Sequence, residues 1–423
     1  MSLSIIKVIN LNFLFLFLPL IYLSNIFNPY EFPKFVFFVG AIFILSLVSL
    51  LRFWTGQNDG KRTHFVFKID TLTKLVFFYG LVVYLADLLG LDPRTSFLGS
   101  IFRYQGFITL LAGICLFLVV RYNTYYSYKI YKSYITAILT GAFFVCIFSI
   151  WQGIAFNFFH DLSIPTYQGR IVGTIGNPNS LAGYLAIVLP FALFSKNKIV
   201  KTVLSLMILT AVIFTDSRSG FLAVGLLFLI YGLRFIFKLN ISKIVKGLII
   251  VLAFMGITQL TNFYIHKNTA TKQSPAIIER GCPESWPTAY PLKIISDIYN
   301  SKVFSTQREA LCDNRLLMWA VGLETVSKRP ILGFGQENFE IAVPVGRMHP
   351  PDNTHNIFLE TAISSGLVGL FLFLGIIFTT FKKADFTIRM SLLAFLIVAS
   401  FNPLSIVEIM LFWFLLGVSQ LAD

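Results

Sequence analysis

Long apolar runs separated by short polar connections dominate the chain. Twelve can be drawn, at roughly 9–27, 33–51, 72–90, 106–121, 134–155, 179–195, 199–214, 220–237, 245–262, 355–380, 387–402 and 405–420. A helix needs about 20 apolar residues to cross the hydrocarbon core of a bilayer, so each run predicts one membrane-spanning helix, the shorter ones with loosely set ends. The pattern predicts an all-α polytopic membrane fold of about twelve spans. One long connection interrupts the rhythm and divides the chain into spans one to nine (1–262), a large loop (263–354) and spans ten to twelve (355–423). Inside that loop, 312–327 reads as an amphipathic helix. It is ended by KRPILGFG, where Pro330 and the glycines stop helical structure.

Composition agrees with this reading. The 423 residues are 56% hydrophobic and only 13% charged, against about 25% charged in a soluble domain. A net charge of +14 raises the possibility of a nucleic-acid partner, but the basic residues lie in short connections between apolar runs. That placement is the signature of membrane orientation. Nineteen lysines and arginines fall in one alternating set of connections, from Lys7 through the cluster at Arg234, Lys238, Lys243 and Lys246 to Lys382, Lys383 and Arg389. The opposite short connections hold five: Lys34, Arg94, Arg103, Arg170 and Arg218. The positive-inside rule then predicts a multi-pass protein of the cytoplasmic (inner) membrane, with both termini cytoplasmic and the large loop outside. Lys7 precedes an apolar run without a small-residue cleavage site, which reads as a retained first helix. Cys282 and Cys312 would face an oxidising compartment, where they either bridge or stand as separate thiols.

The outer connections carry the candidate chemistry. FTDSRSGFLA places Asp216 and Arg218 between two apolar runs with almost no loop around them. Arg94 and Arg103 lie in DPRTSFLGSIFRYQG, Arg170 in YQGRIVGTIGNPNSLAGY and Arg315 in CDNRLLMW. Arg347, His349 and His355 lie in GRMHPPDNTHNIFLE. Singly, each arginine is equally a solvated loop charge or an anchor. Together they violate the charge bias, and convergent guanidinium forks at a membrane surface suit a diphosphate. Nearby glycines, such as Gly169 and Gly220, serve either turns or close backbone approach. His355 either shapes the helix start that Asn353 or Thr354 caps, or accepts a proton from a hydroxyl as a neutral imidazole. Glu360, a turn further on, either orients it or lines a polar cavity. His349 sits in the MHPPD loop and is the weaker candidate. The chain has no Asp-x-Asp, His/Cys ligand spacing or nucleotide-binding loop, so the expectation is no metal and no cofactor, with a donor that carries its own activation.

The segments GTIGNPNSLAGYLAIVLPF, TDSRSGFLAVG, NRLLMWAVGLETVSKRPILGFGQENF and THNIFLETAISSGLVGL, with SFLGSIFRYQGFITL before them, resemble the O-antigen ligase and polymerase superfamily. The resemblance runs from about 92 to 370 in order. It implies a polytopic, metal-independent glycosyltransferase of the GT-C type that moves a glycan from undecaprenyl diphosphate to an acceptor hydroxyl with inversion. The family's essential arginines match Arg218 and Arg315, and its catalytic histidine matches His355. Arg103, Arg170, Arg347, Asn356 and Glu360 complete the expected substrate-binding set. The motifs leave the acceptor open between lipid A-core, a growing glycan and a protein. A transporter is the rival reading, but carriers place ionisable groups near the bilayer midplane. Here the runs are nearly free of charge, with Asp87, Glu360 and Glu408 close to their ends.

Overall fold

The computed structural model describes residues 11–54, 70–126, 128–159, 165–236, 315–343 and 353–419. Chain order begins with α1 (Leu11–Phe17, extended by a 3-10 turn, Leu18–Leu20), α2 (Glu31–Trp54), α3 (Thr71–Leu88), α4 (Pro93–Leu98), α5 (Phe107–Tyr126) and α6 (Tyr128–Phe158). The ribbon β1 (Thr166–Tyr167) and β2 (Arg170–Ile171) follows, then α7 (Pro178–Leu193), α8 (Ser205–Thr215, entered through a π turn, Val200–Leu204) and α9 (Arg218–Ile236). The remaining helices are α10 (Arg315–Lys328), α11 (Phe339–Ala342), α12 (Ile357–Lys383), α13 (Phe386–Ala399) and α14 (Ile406–Val418).

Every apolar run drawn from the sequence except 245–262 overlaps one of these helices, although in the run 9–27 the helix ends at Leu20, where the chain turns extended at Ile21. The run 245–262 lies outside the described residues, as do Cys282, Cys312, Arg347 and His349. Among the described residues five helices, α2, α3, α5, α6 and α12, are long and apolar enough to cross a membrane. The other apolar segments are shorter, α7, α13 and α14 among them. The expected loop helix is present as α10, ending at Lys328 before Pro330.

Burial follows from composition. All of Leu181–Ala192 in α7 and all of Met410–Val418 in α14 are buried. A helix that is apolar all round belongs inside a bundle. Accordingly α13 packs on α7, α14 on α5 and α12 on α3. Phe43, Phe77, Phe371 and Phe378 instead point outward and are well exposed, as a lipid-facing surface requires.

The two ends of the bundle differ. At one, Asp70 takes Arg121 at 2.8 Å and Lys383 at 3.2 Å, tying the start of α3 to the ends of α5 and α12. At the other, the connections before α5, α7, α9, α12 and α14 meet. Gln105 Nε2 donates to the Leu404 carbonyl, Asn356 Nδ2 to Ser400 O at 3.3 Å and Arg170 Nε to Thr215 O at 2.8 Å. Ionisable groups near this end act as ties. Glu31 accepts the Ile406 N–H at 3.0 Å, Asp87 accepts that of Gln336 at 2.6 Å, and Glu408 closes a capping box with Ser405. Lys34, read from sequence as a loop charge, is 0% exposed and donates to Thr174 O at 2.8 Å.

Two features depart from an uninterrupted all-helical pattern. Gln168 and Gly169, with φ of 52° and 74°, make the two-residue turn that closes β1 on β2. The run 355–380 is also broken: Gly366 has φ 68° and ψ −175° inside α12. The strap 330–335 repairs the break, because Phe334 N–H bonds Ile363 O at 2.8 Å, Gly335 N–H bonds Ser364 O at 2.9 Å and Leu367 N–H bonds Pro330 O at 2.7 Å. Backbone polar groups inside a bilayer-embedded bundle need such partners. The glycine is obligatory here, since a Cβ at 366 would overlap the Ile331 carbonyl oxygen.

Candidate functional site

Asp216 and Ser217 alone join α8 to α9, and this resolves the charged hairpin. Asp216 ends α8 in the left-handed region, φ 47° and ψ 40°. Ser217 then caps α9 by accepting the Gly220 N–H on its hydroxyl at 3.3 Å. Arg218 is therefore the first residue of α9, and it is exposed.

Arg170 comes from the ribbon, which is held from beneath by α6. Gln152 Oε1 accepts the N–H of Val172 at 3.2 Å and of Gly173 at 2.8 Å. The arginine's Nε bonds Thr215 O, and its NH2 donates to Asn179 Oδ1 at 2.9 Å. Asn179 stands in the first turn of α7, behind the Asn177 cap and Pro178. Arg315 opens α10 and donates to Asn402 Oδ1 at 3.2 Å, with the Phe401 ring 6.0 Å from its guanidinium carbon.

These pieces form one hydrogen-bonded chain. Ser217 Oγ lies 2.9 Å from Asn179 Oδ1 and 3.2 Å from Ser219 Oγ, and Asn402 Nδ2 donates to Ser219 Oγ at 2.6 Å. The chain runs from Arg170 to Arg315 and passes Arg218 on the way. Burial pushes the Arg170 guanidinium below its usual range, opposed by Asp216 and Tyr167 and reinforced by Arg218 and Arg315. Burial also lowers Arg315, with Arg218 adding to the effect. Three like charges thus sit close enough to feel one another.

The loop that carries His355 is tied to the elements at the Arg315 end of this chain. Trp319 Nε1 of the Arg315 helix donates to Thr354 O at 3.2 Å, and Asn356 ties the loop to the 400–402 turn. Asn356 caps α12, accepting the N–H of Phe358 at 3.0 Å and Leu359 at 3.1 Å. Glu360 accepts both the Thr354 N–H at 3.1 Å and the Thr354 hydroxyl at 3.0 Å, so its carboxylate braces the residue before the histidine. His355 itself is left-handed, φ 56°, a conformation that is strained for a non-glycine residue. Its Nδ1 lies 3.0 Å from Asn353 O. A carbonyl only accepts, so Nδ1 carries the hydrogen and Nε2 is the acceptor nitrogen of the neutral ring.

Of the sequence candidates, Arg170, Arg218 and Arg315 come together, the loop of His355 and Asn356 is tied to the Arg315 helix and to the 400–402 turn, and Glu360 braces that loop. Arg103 lies on the Glu360 side, where its charge acts on that carboxyl group. It is 7% exposed and pairs with Glu337 at 3.5 Å, helping hold the strap. Asn179, Ser217 and Asn402 were not singled out from sequence. The available signal was slight: Asn179 and Asn402 each lie in an Asn-Pro-x-Ser segment next to a helix start, 177–180 and 402–405, but at different positions in it, and Ser217 lies in neither. On the outer flank of α6, an apolar groove of about 360 Å³ is lined by Ile150, Trp151, Ile154, Phe159 and Met207. In the same helix Gly153 packs against Phe214, the neighbour of Thr215.

Fold and site together define a polytopic helical membrane protein with a cluster of arginines at one end of its bundle. Residues 202–374 match the family model described as O-antigen ligase, so the chain carries an O-antigen ligase family domain over that stretch. No curated protein matches the chain. Arg218, Arg315, His355 and Glu360 lie inside the matched stretch; Arg170, Asn179 and Asn402 lie outside it and are brought in by folding.

Proposed function

We propose that the protein is a glycosyltransferase that moves a glycan from undecaprenyl diphosphate to an acceptor hydroxyl, with lipid A-core as the leading acceptor. The single observation behind this reading is the convergence of Arg170, Arg218 and Arg315, from three separate elements, with Arg170 and Arg315 on one hydrogen-bonded chain, Arg218 between its two serines, and the His355 loop tied to the Arg315 helix. The arginines hold the diphosphate and stabilise the charge that grows on it as the bond from the anomeric carbon to phosphate oxygen breaks. The acceptor oxygen attacks that carbon from the opposite face, and its proton passes to His355 Nε2. The departing polyprenyl diphosphate then needs no proton, and the anomeric centre inverts. The apolar groove beside α6 suits the isoprenoid tail. The chain is read as about twelve spans in a GT-C arrangement with both termini cytoplasmic and the site facing the periplasm, on the strength of the charge bias.

The test is glycan transfer by purified protein in detergent, from a lipid-diphosphate donor, with a chelator present. Lipid A-core, free glycan and a hydroxyl-rich peptide are compared as acceptors. Transfer to lipid A-core that persists in chelator is expected. Transfer only to glycan or peptide would move the protein to the polymerase or protein-glycosylating branch, and loss of all transfer in chelator would replace the mechanism with a metal-assisted one.

A further inference from the structure

We infer that Asn179 and Asn402 are positioning residues that orient Arg170 and Arg315 through uncharged acceptors and so add no negative charge of their own to the cluster that a diphosphate would meet. The inference rests on the reading of the site given above. Its starting point is a contrast within the molecule. Arg103 and Arg121 are paired with carboxylates, Glu337 at 3.5 Å and Asp70 at 2.8 Å. Arg170 and Arg315 are held instead by amide oxygens, at 2.9 and 3.2 Å. A carboxylate in either place would make a stronger bond but would cancel the charge that an anionic ligand needs.

The amides are oriented for this role. Asn402 Nδ2 donates to Val398 O at 3.0 Å and to Ser219 Oγ at 2.6 Å. Because the Val398 carbonyl only accepts, Nδ2 must face it, and Oδ1 is left facing Arg315. Asn179 Oδ1 takes two donors at once, Arg170 and the Ser217 hydroxyl. Each amide thereby ties an arginine to the turn that presents Arg218. Without such ties, three mutually repelling guanidiniums would splay into solvent, and the site would have to be reassembled at each binding event. Asp216 is the carboxylate that acts on Arg170, and it follows α8 directly.

Two substitutions of opposite electrical sense test this. Asn179→Asp keeps the shape and both acceptor contacts and adds one negative charge. Asp216→Asn removes one, and asparagine tolerates the left-handed backbone there. The full-length protein in detergent is titrated with inorganic pyrophosphate by calorimetry, and with the lipid-diphosphate donor, and unfolding midpoints are recorded for each variant. Asn179→Asp is expected to bind pyrophosphate at least about tenfold more weakly with its midpoint unchanged, since a like charge at contact range opposes the ligand. Asn179→Ala, which loses the tie but adds no charge, is expected to lose less. Asp216→Asn is expected to bind more tightly. If Asn179→Asp binds at the wild-type level or better, the asparagine is only a structural tie and the inference fails. Should Asn179→Asp not fold, Asp216→Asn decides alone: affinity equal to or below wild type overturns the inference. Failure of the wild type to bind either probe would instead overturn the diphosphate reading of the site.

Discussion

At the residue scale, the arginines and the histidine should fail in different ways. Arg218→Ala or Arg315→Ala removes a charge-assisted contact of about 1.5–3 kcal/mol, so donor affinity should fall roughly tenfold to a hundredfold, and turnover with it. Lysine at either position should restore part of the loss, because it lacks the bidentate fork. His355→Ala should leave donor binding intact and reduce transfer by roughly 10²–10⁴-fold. The base works only as the neutral ring, so wild-type transfer should rise with pH through the imidazole titration, and the residual activity of His355→Ala should lack that rise. Single-turnover rates across pH for both proteins check this; full activity in His355→Ala would remove it as the base. Arg218, Arg315 and His355 were legible because each stands in a short motif. Asn179 and Asn402 were not, because their role depends on which side chains folding brings to them, from partners 9 to 183 positions away.

At the element scale, the broken helix α12 and the strap 330–335 behave as one unit. The strap continues directly from α10, whose first residue is Arg315, and Glu337 just beyond it pairs with Arg103. Gly366 adopts a backbone conformation that side chains disfavour by about 1–3 kcal/mol, before any overlap with Ile331 O is counted. Gly366→Ala should therefore lower the unfolding midpoint and, by displacing the strap, reduce transfer. Gly375→Ala in the same helix meets Leu75 at an ordinary 3.6 Å and should do neither. Thermal unfolding of the two variants in detergent compares them directly, and equal midpoints would show that the break does not need its glycine. The end of α10 was legible from KRPILGFG. The break in α12 was not, because SSGLVG reads as apolar and helical until the strap that satisfies its carbonyls is in place.

At the scale of the whole molecule, orientation is the statement on which the rest depends. Reporter fusions at Thr63, Ser127 and Ser242 should score cytoplasmic and one at Lys293 external, following the charge bias. A cytoplasmic score at Lys293 would separate the large loop from the face on which the arginines are placed.

Hydropathy and charge are properties of short windows, so the sequence by itself determined the apolar helices, their order, the loop helix and the residue types able to hold a diphosphate. Which of those residues share a site is a property of distant contacts. Only the tertiary structure joined Arg170 to Arg315 through two asparagines and the two serines that flank Arg218, engaged Arg103 with Glu337, and gave the His355 ring its hydrogen on Nδ1. The physical reason is the same in each case. A guanidinium or an imidazole has the same intrinsic chemistry wherever it lies in the chain, and the partner that folding brings to it decides whether its charge is cancelled, shared or left for a ligand.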